Sequence, residues 1–140
     1  LNPTGPALGK FEEAARLYRA LDNRKGAARS LLEFSLVSNK LGDKTIALRS
    51  YEQVLPVFQA LAQRSDEARV LNGIGEICSD FGDKQKALTY FDRALELERG
   101  LGDKSGETET DRRLSLIKIG HLRIHITGRR LSFLETGNDP

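Results

Sequence analysis

Residues 81–107 read FGDKQKALTYFDRALELERGLGDKSGE, and the tripeptide Gly-Asp-Lys occurs in this stretch twice, at Gly82 and at Gly102. A third copy starts at Gly42. Laying the chain over itself at an offset of 40 residues puts LGDKTIALRSYEQVLPVFQA (41–60) on FGDKQKALTYFDRALELERG (81–100), where Gly, Asp, Lys, Ala, Leu, an aromatic residue and a second Leu coincide. Residues 1–20 join this register through Ala7, Leu8, Phe11 and Ala20, and the other half-period begins in phase at Leu21, Leu61 and Leu101. A fixed period of this length is the mark of a stacked repeat. The tripeptide is then punctuation, separating the halves of a unit at 42 and 82 and separating units at 102.

Each half has a helical pattern. Between residues 84 and 101, Ala87, Leu88, Phe91, Ala94, Leu95 and Leu101 recur at three- and four-residue steps, which gathers them on one face of a helix. Lys84, Lys86, Asp92, Arg93, Glu96 and Arg99 fall on the exposed steps. Gly42 and Gly82 stand where a helix ends, a place that favours the left-handed backbone of glycine, and the Asp after each can cap the next helix. Two such helices cannot cover both their apolar faces alone, but stacked neighbours can. The fold class that follows is all-α.

The series Leu71, Ile74, Gly75, Cys78, Gly82, Ala87, Phe91, Ala94 resembles the tetratricopeptide repeat in spacing and residue type. A looser copy runs through Leu31, Phe34, Ser35, Ser38, Gly42, Ala47, Tyr51 and Val54. The commonest form of that repeat has about 34 residues. The longer unit here is similar to those of bacterial, particularly cyanobacterial, arrays and of the G-protein-signalling modulator and kinesin light chain type. The resemblance covers roughly residues 5–120. It implies a right-handed α-α superhelix of antiparallel helix pairs in a single domain. Residues 5–27 would hold the second helix of a truncated unit, 28–67 and 68–107 two full units, and 108–140 a degenerate or capping segment. Gly75, Ala87 and Ala94 would be the short residues that let helices cross closely against Phe91 and Leu71. Gly73 has no evident role in this pattern.

Several segments depart from the repeat. Pro56 falls inside a helix and predicts a kink or a break near Glu52 to Pro56. Pro3 and Pro6 suit a helix start at about residue 6. From about residue 111 the pattern fades, and Leu122, Ile124 and Ile126 alternate as in a strand, so the expected end is a cap, a short helix or a disordered tail. This region gathers Arg112, Arg113, Lys118, Arg123, Arg129 and Arg130. With only Phe133 nearby to stack on bases, solvated charge is favoured over a nucleic-acid surface.

Composition narrows the function classes. The chain has 140 residues, 39% hydrophobic and 30% charged, which suits one folded domain. Its 22 basic and 20 acidic residues leave a net charge of +2, too small for a field that gathers nucleic acid or anionic lipid. No apolar run approaches a membrane span and no basic-then-apolar leader opens the chain, so the expectation is a soluble, cytoplasmic protein. The absence of Met leads us to expect that Leu1 is an internal residue of a longer protein. The single cysteine, Cys78, occupies a core position of its helix and lacks a histidine in its repeat, so it is expected to pack and not to react. His121 and His125 have the spacing of a helical metal pair but no third ligand, and Asn72 to Ile77 (NGIGEI) lacks the third glycine and the strand of a dinucleotide loop. The chain is therefore expected to have no cofactor, no metal and no catalytic site.

What remains is a surface. In the family that the chain resembles, the first helices line a concave groove that receives a partner peptide. The stripe opposite the core residues of those helices consists of Arg29, Leu32, Glu33, Leu36 and Asn39 in one unit and Arg69, Asn72, Glu76, Ser79 and Asp80 in the next. Glu109, Arg112, Arg113 and Leu116 follow them. Asn72 is the leading candidate because an amide both donates and accepts, and Leu32, Leu36 and Leu116 are candidate apolar anchors. The expected function is a protein-interaction scaffold in signalling, with a protein or peptide partner. The alternatives are a peptide sensor controlling a fused protease, kinase or DNA-binding domain, and self-association through the end stripe Ala7, Phe11, Ala14 and Leu21.

Overall fold

The computed structural model describes the backbone of residues 5–135 and the side chains of residues 5–120 apart from Ala7. Six helices follow one another: α1 (Gly5–Ala20), α2 (Arg24–Lys40), α3 (Lys44–Ala60), α4 (Arg64–Asp80), α5 (Lys84–Leu101) and α6 (Lys104–Glu135). Each packs on its neighbour in sequence, and α2 also meets α4. The described residues contain no strand. The molecule is thus an all-α helical repeat array, with helix pairs running over 24–60 and 64–101.

The turns explain the punctuation. Asp22, Gly42, Ala62, Gly82 and Gly102 all adopt a positive φ, at 53°, 90°, 51°, 86° and 68°. In every turn the same two backbone bonds form: Gly42 N–H donates to the Asn39 carbonyl (3.1 Å) and Asp43 N–H to that of Ser38 (2.9 Å), and the other four turns repeat this pair. This is the Schellman arrangement, which satisfies carbonyls that a helix end would otherwise leave bare. The chain therefore turns identically after every helix, and Gly-Asp-Lys is the favoured spelling of that turn. Asn23, Asp83 and Asp103 complete it by accepting from the amides of Gly26, Lys86 and Gly106 at 2.8, 3.1 and 3.0 Å.

Tyr51, Phe34, Phe58, Phe91, Leu32, Leu71, Ile74 and Ile77 are the largest buried residues. Cys78 packs among them, and burial pushes its thiol pKa up, away from the reactive thiolate. Gly75 lies against Phe91, where a β-carbon would sit 2.8 Å from Cε1 of the ring. Gly73 has the same role one step away: a β-carbon there would meet the ring of Tyr51, 2.7 Å from Cε2. At the first end, Phe11 of α1 tilts onto Phe34 of α2 with ring centroids 5.7 Å apart.

At two places where the sequence left alternatives, the helix runs on. Pro56 does not break its helix, since α3 runs unbroken from Lys44 to Ala60. Pro56 and Glu52 are both exposed, so the Glu52 carbonyl freed by the missing N–H can bond to water. The alternation at Leu122, Ile124 and Ile126 does not make a strand, because α6 continues to Glu135. A helix satisfies its own backbone, whereas a strand here would need a partner strand and finds none among the described residues.

Candidate functional site

The helices α2, α4 and α6 carry the sequence-derived stripe, and polar side chains tie the three together. Arg29 of α2 donates through Nε to Asp66 of α4 at 2.8 Å. Arg69 of α4 reaches back to Glu33 at 2.8 Å and also meets Asp66 at 3.5 Å. Asp66 is buried between the two guanidinium groups, which supply the charge that a desolvated carboxylate requires. Farther along, the Asn39 amide donates to Glu76 at 3.2 Å, and Arg113 of α6 bonds the other oxygen of Glu76 at 2.6 Å. Lys44, the first residue of α3, closes the corner on Asp80 at 2.5 Å.

Beside this bridge lies a groove of about 300 Å³, lined by Asn39, Lys44, Glu76, Ser79, Asp80 and Arg113, with Leu116, Ile117 and Phe91 as its apolar part. Ser79 is half-buried there and its hydroxyl and carbonyl both accept from Lys84 at 2.9 Å. Arg112 stands on α6 near this edge and grips Glu109 with two bonds, 2.6 and 3.0 Å long. That hydrogen bonding holds the Glu109 carboxyl below the usual carboxylate range and the Arg112 guanidinium above its own.

The stripe residues differ in where their side chains go. Arg29, Asn39, Arg69, Glu76, Ser79, Arg112, Arg113 and Leu116 share the α2–α4–α6 face, Leu116 being 58% exposed. Asn72 stands on the same helix but its amide turns inward: Nδ2 donates to Glu98 of α5 at 2.7 Å, and Oδ1 lies 3.2 Å from the Thr110 hydroxyl of α6. Leu32 leaves the surface set. It is completely buried, because α2 packs against α1, α3 and α4 and so buries a wider stripe than a one-sided helix would. Leu36 is half-buried against the core.

Residues the periodicity passed over include Asp66, Lys44 and the Glu98–Thr110 pair. Glu98 had a signal: it continues the buried steps Phe91, Ala94 and Leu95, where a carboxylate is out of place unless it is bonded. His121 and His125, with Arg123, Arg129 and Arg130, lie beyond the residues whose side chains are described. No group of three or more metal-ligating side chains occurs among the described residues. None of the described helices is long and apolar enough to cross a membrane.

A stack of sequentially packed helix pairs defines a helical-repeat protein. Residues 26–99, over half of the chain, match the tetratricopeptide repeat family, and the chain belongs to that family. Repeats of this family generally mediate protein–protein interaction and typically serve as scaffolds without enzymatic activity. No curated protein matches the chain significantly.

Proposed function

We propose that the α2–α4–α6 layer is the concave, partner-binding face of an interaction module and that it receives a peptide segment of another protein. The observation that carries this reading is the Asn39–Glu76–Arg113 bridge, which spans three helices and borders a groove with Leu116 exposed at its rim. Partly exposed ion pairs of this kind stabilise a fold by roughly 0–1 kcal/mol. A partner can therefore exchange them for its own charges at little cost, while Leu116 offers apolar contact. Asn72 contributes as a strut that holds α4, α5 and α6 in register beneath the groove.

A photo-crosslinking amino acid placed at Ser79, at Leu116 or at the exposed Thr89 of α5 tests this reading in the native host extract. The expected result is one discrete partner, identified by mass spectrometry, joined from Ser79 and Leu116 but not from Thr89, and lost when Arg113→Glu is added. Equal capture from all three positions would contradict the assignment.

Self-association has support of its own, since Leu17 on α1 and Leu21 just past its end are 60% and 76% exposed. The end stripe is otherwise partly occupied: Phe11 packs on Phe34 and Ala14 is half-buried, while Ala7 lies outside the described side chains.

A further inference from the structure

A concavity that this reading leaves unused lies between α1 and α3, with α2 as its floor, and measures about 740 Å³. Its apolar surface comes from Leu8, Phe11, Leu31, Val54 and Val57. Four arginines surround that surface: Arg16 and Arg19 on the α1 wall, Arg49 on the α3 wall and Arg24 at the start of α2. Glu12 is the one carboxylate among the lining residues.

The state of these arginines differs from that of the other layer. Arg29, Arg69, Arg112 and Arg113 each hold a carboxylate. Arg16, Arg19, Arg24 and Arg49 are all exposed and form no ion pair among the described residues. Even Glu12, one turn before Arg16, does not pair with it. Unpaired guanidinium groups on facing walls, above an apolar floor, are complementary to carboxylates carried beside apolar side chains. The planar fork of each arginine suits a carboxylate in particular.

We infer that this cleft is a second docking site, distinct from the groove on the α2–α4–α6 face, and that its occupant is an acidic amphipathic helix of a partner protein. Apolar side chains at i, i+3, i+4 and i+7 of that helix enter the cleft, and its flanking Asp or Glu residues meet the four arginines. A nucleic acid would satisfy the charges but would have a single accessible ring, Phe11, to stack on, because Phe34 is buried. The volume lies within the roughly 300–1,000 Å³ usual for a formed binding cleft.

The probe is a fluorescein-labelled synthetic peptide of about four helical turns, with leucine along one stripe and glutamate elsewhere, titrated with the whole chain and followed by anisotropy. Saturable binding that weakens with added salt is expected. Replacing glutamate by lysine, or leucine by serine, in the peptide should weaken it at least about tenfold, as should the double variant Arg16→Glu/Arg49→Glu of the protein. The matched charge reversal Lys86→Glu/Arg93→Glu on α5 should leave affinity within about twofold. Circular dichroism should show unchanged helix content in both variants, since all four positions are exposed. The inference is overturned if the acidic peptide fails to bind or if the two double variants weaken it equally. It is also overturned if the cleft variant instead abolishes binding of single-stranded oligouridylate, or dissolves a dimer seen by sedimentation.

Discussion

Five residues spaced one helix apart hold the left-handed backbone of the turns, and two of them are not glycine. Asp22 and Ala62 adopt φ values of 53° and 51° that cost an L-residue roughly 1–2 kcal/mol. The Ala62→Gly variant should therefore be more stable by about 0.5–1 kcal/mol, after allowing for glycine's freer unfolded chain, as read from the midpoint of denaturant unfolding. A lower midpoint would mean that the turn at 61–63 differs from its fellows. Gly73 shows the opposite pressure. Gly73→Ala forces a β-carbon into the Tyr51 ring and should destabilise the fold by about 1–3 kcal/mol in the same measurement. The sequence revealed the role of Gly75, whose place in the repeat pattern pairs it with Phe91. It did not reveal that of Gly73, because Tyr51 reaches it from the helix before and no period within one helix reports such a contact.

At the scale of the element, periodicity located the helices, and at residues 42, 82 and 102 the turn chemistry written out as Gly-Asp-Lys located their ends. It did not separate a kink from a break at Pro56, because the cost of an interior proline depends on whether the freed carbonyl meets water, and α3 is exposed on that side. It left the last segment open because three alternating apolar residues satisfy a strand template just as they can sit in a helix, and only a pairing partner decides. The joint between elements was not legible at all. Glu98 of α5 is buried, one of its oxygens receiving Asn72 of α4 and Thr110 of α6 while the other has no hydrogen-bond partner among the described residues. Removing the Asn72 amide leaves this carboxylate with the Thr110 hydroxyl alone. Asn72→Ala should thus destabilise the fold by roughly 1–3 kcal/mol, detectable by thermal or denaturant unfolding, before any partner is added. An unchanged midpoint would show that the three-helix knot contributes nothing.

At the scale of the whole molecule, the two layers differ in the state of their charges. The α2–α4–α6 layer carries paired charges, and the cleft of the α1–α3 end carries unpaired ones. The candidate groove was legible as a stripe of residue positions, because helix phase follows from the core residues. Which charges would neutralise one another was not, since Arg29 with Asp66 and Glu76 with Arg113 are matched by the stacking offset of neighbouring units. The same offset removed Leu32 from the surface.

Stacking is the claim on which both layers depend, and glycine-to-aromatic nuclear Overhauser effects test it most directly. In a carbon-edited spectrum of the labelled chain, the Gly73 α-protons should show cross-peaks to the Tyr51 ring and the Gly75 α-protons to the Phe91 ring, both glycines being shifted by the ring currents. Absence of these cross-peaks in a chain that is otherwise helical would contradict the packing of α3 and α5 against α4, and with it the assignment of the two faces.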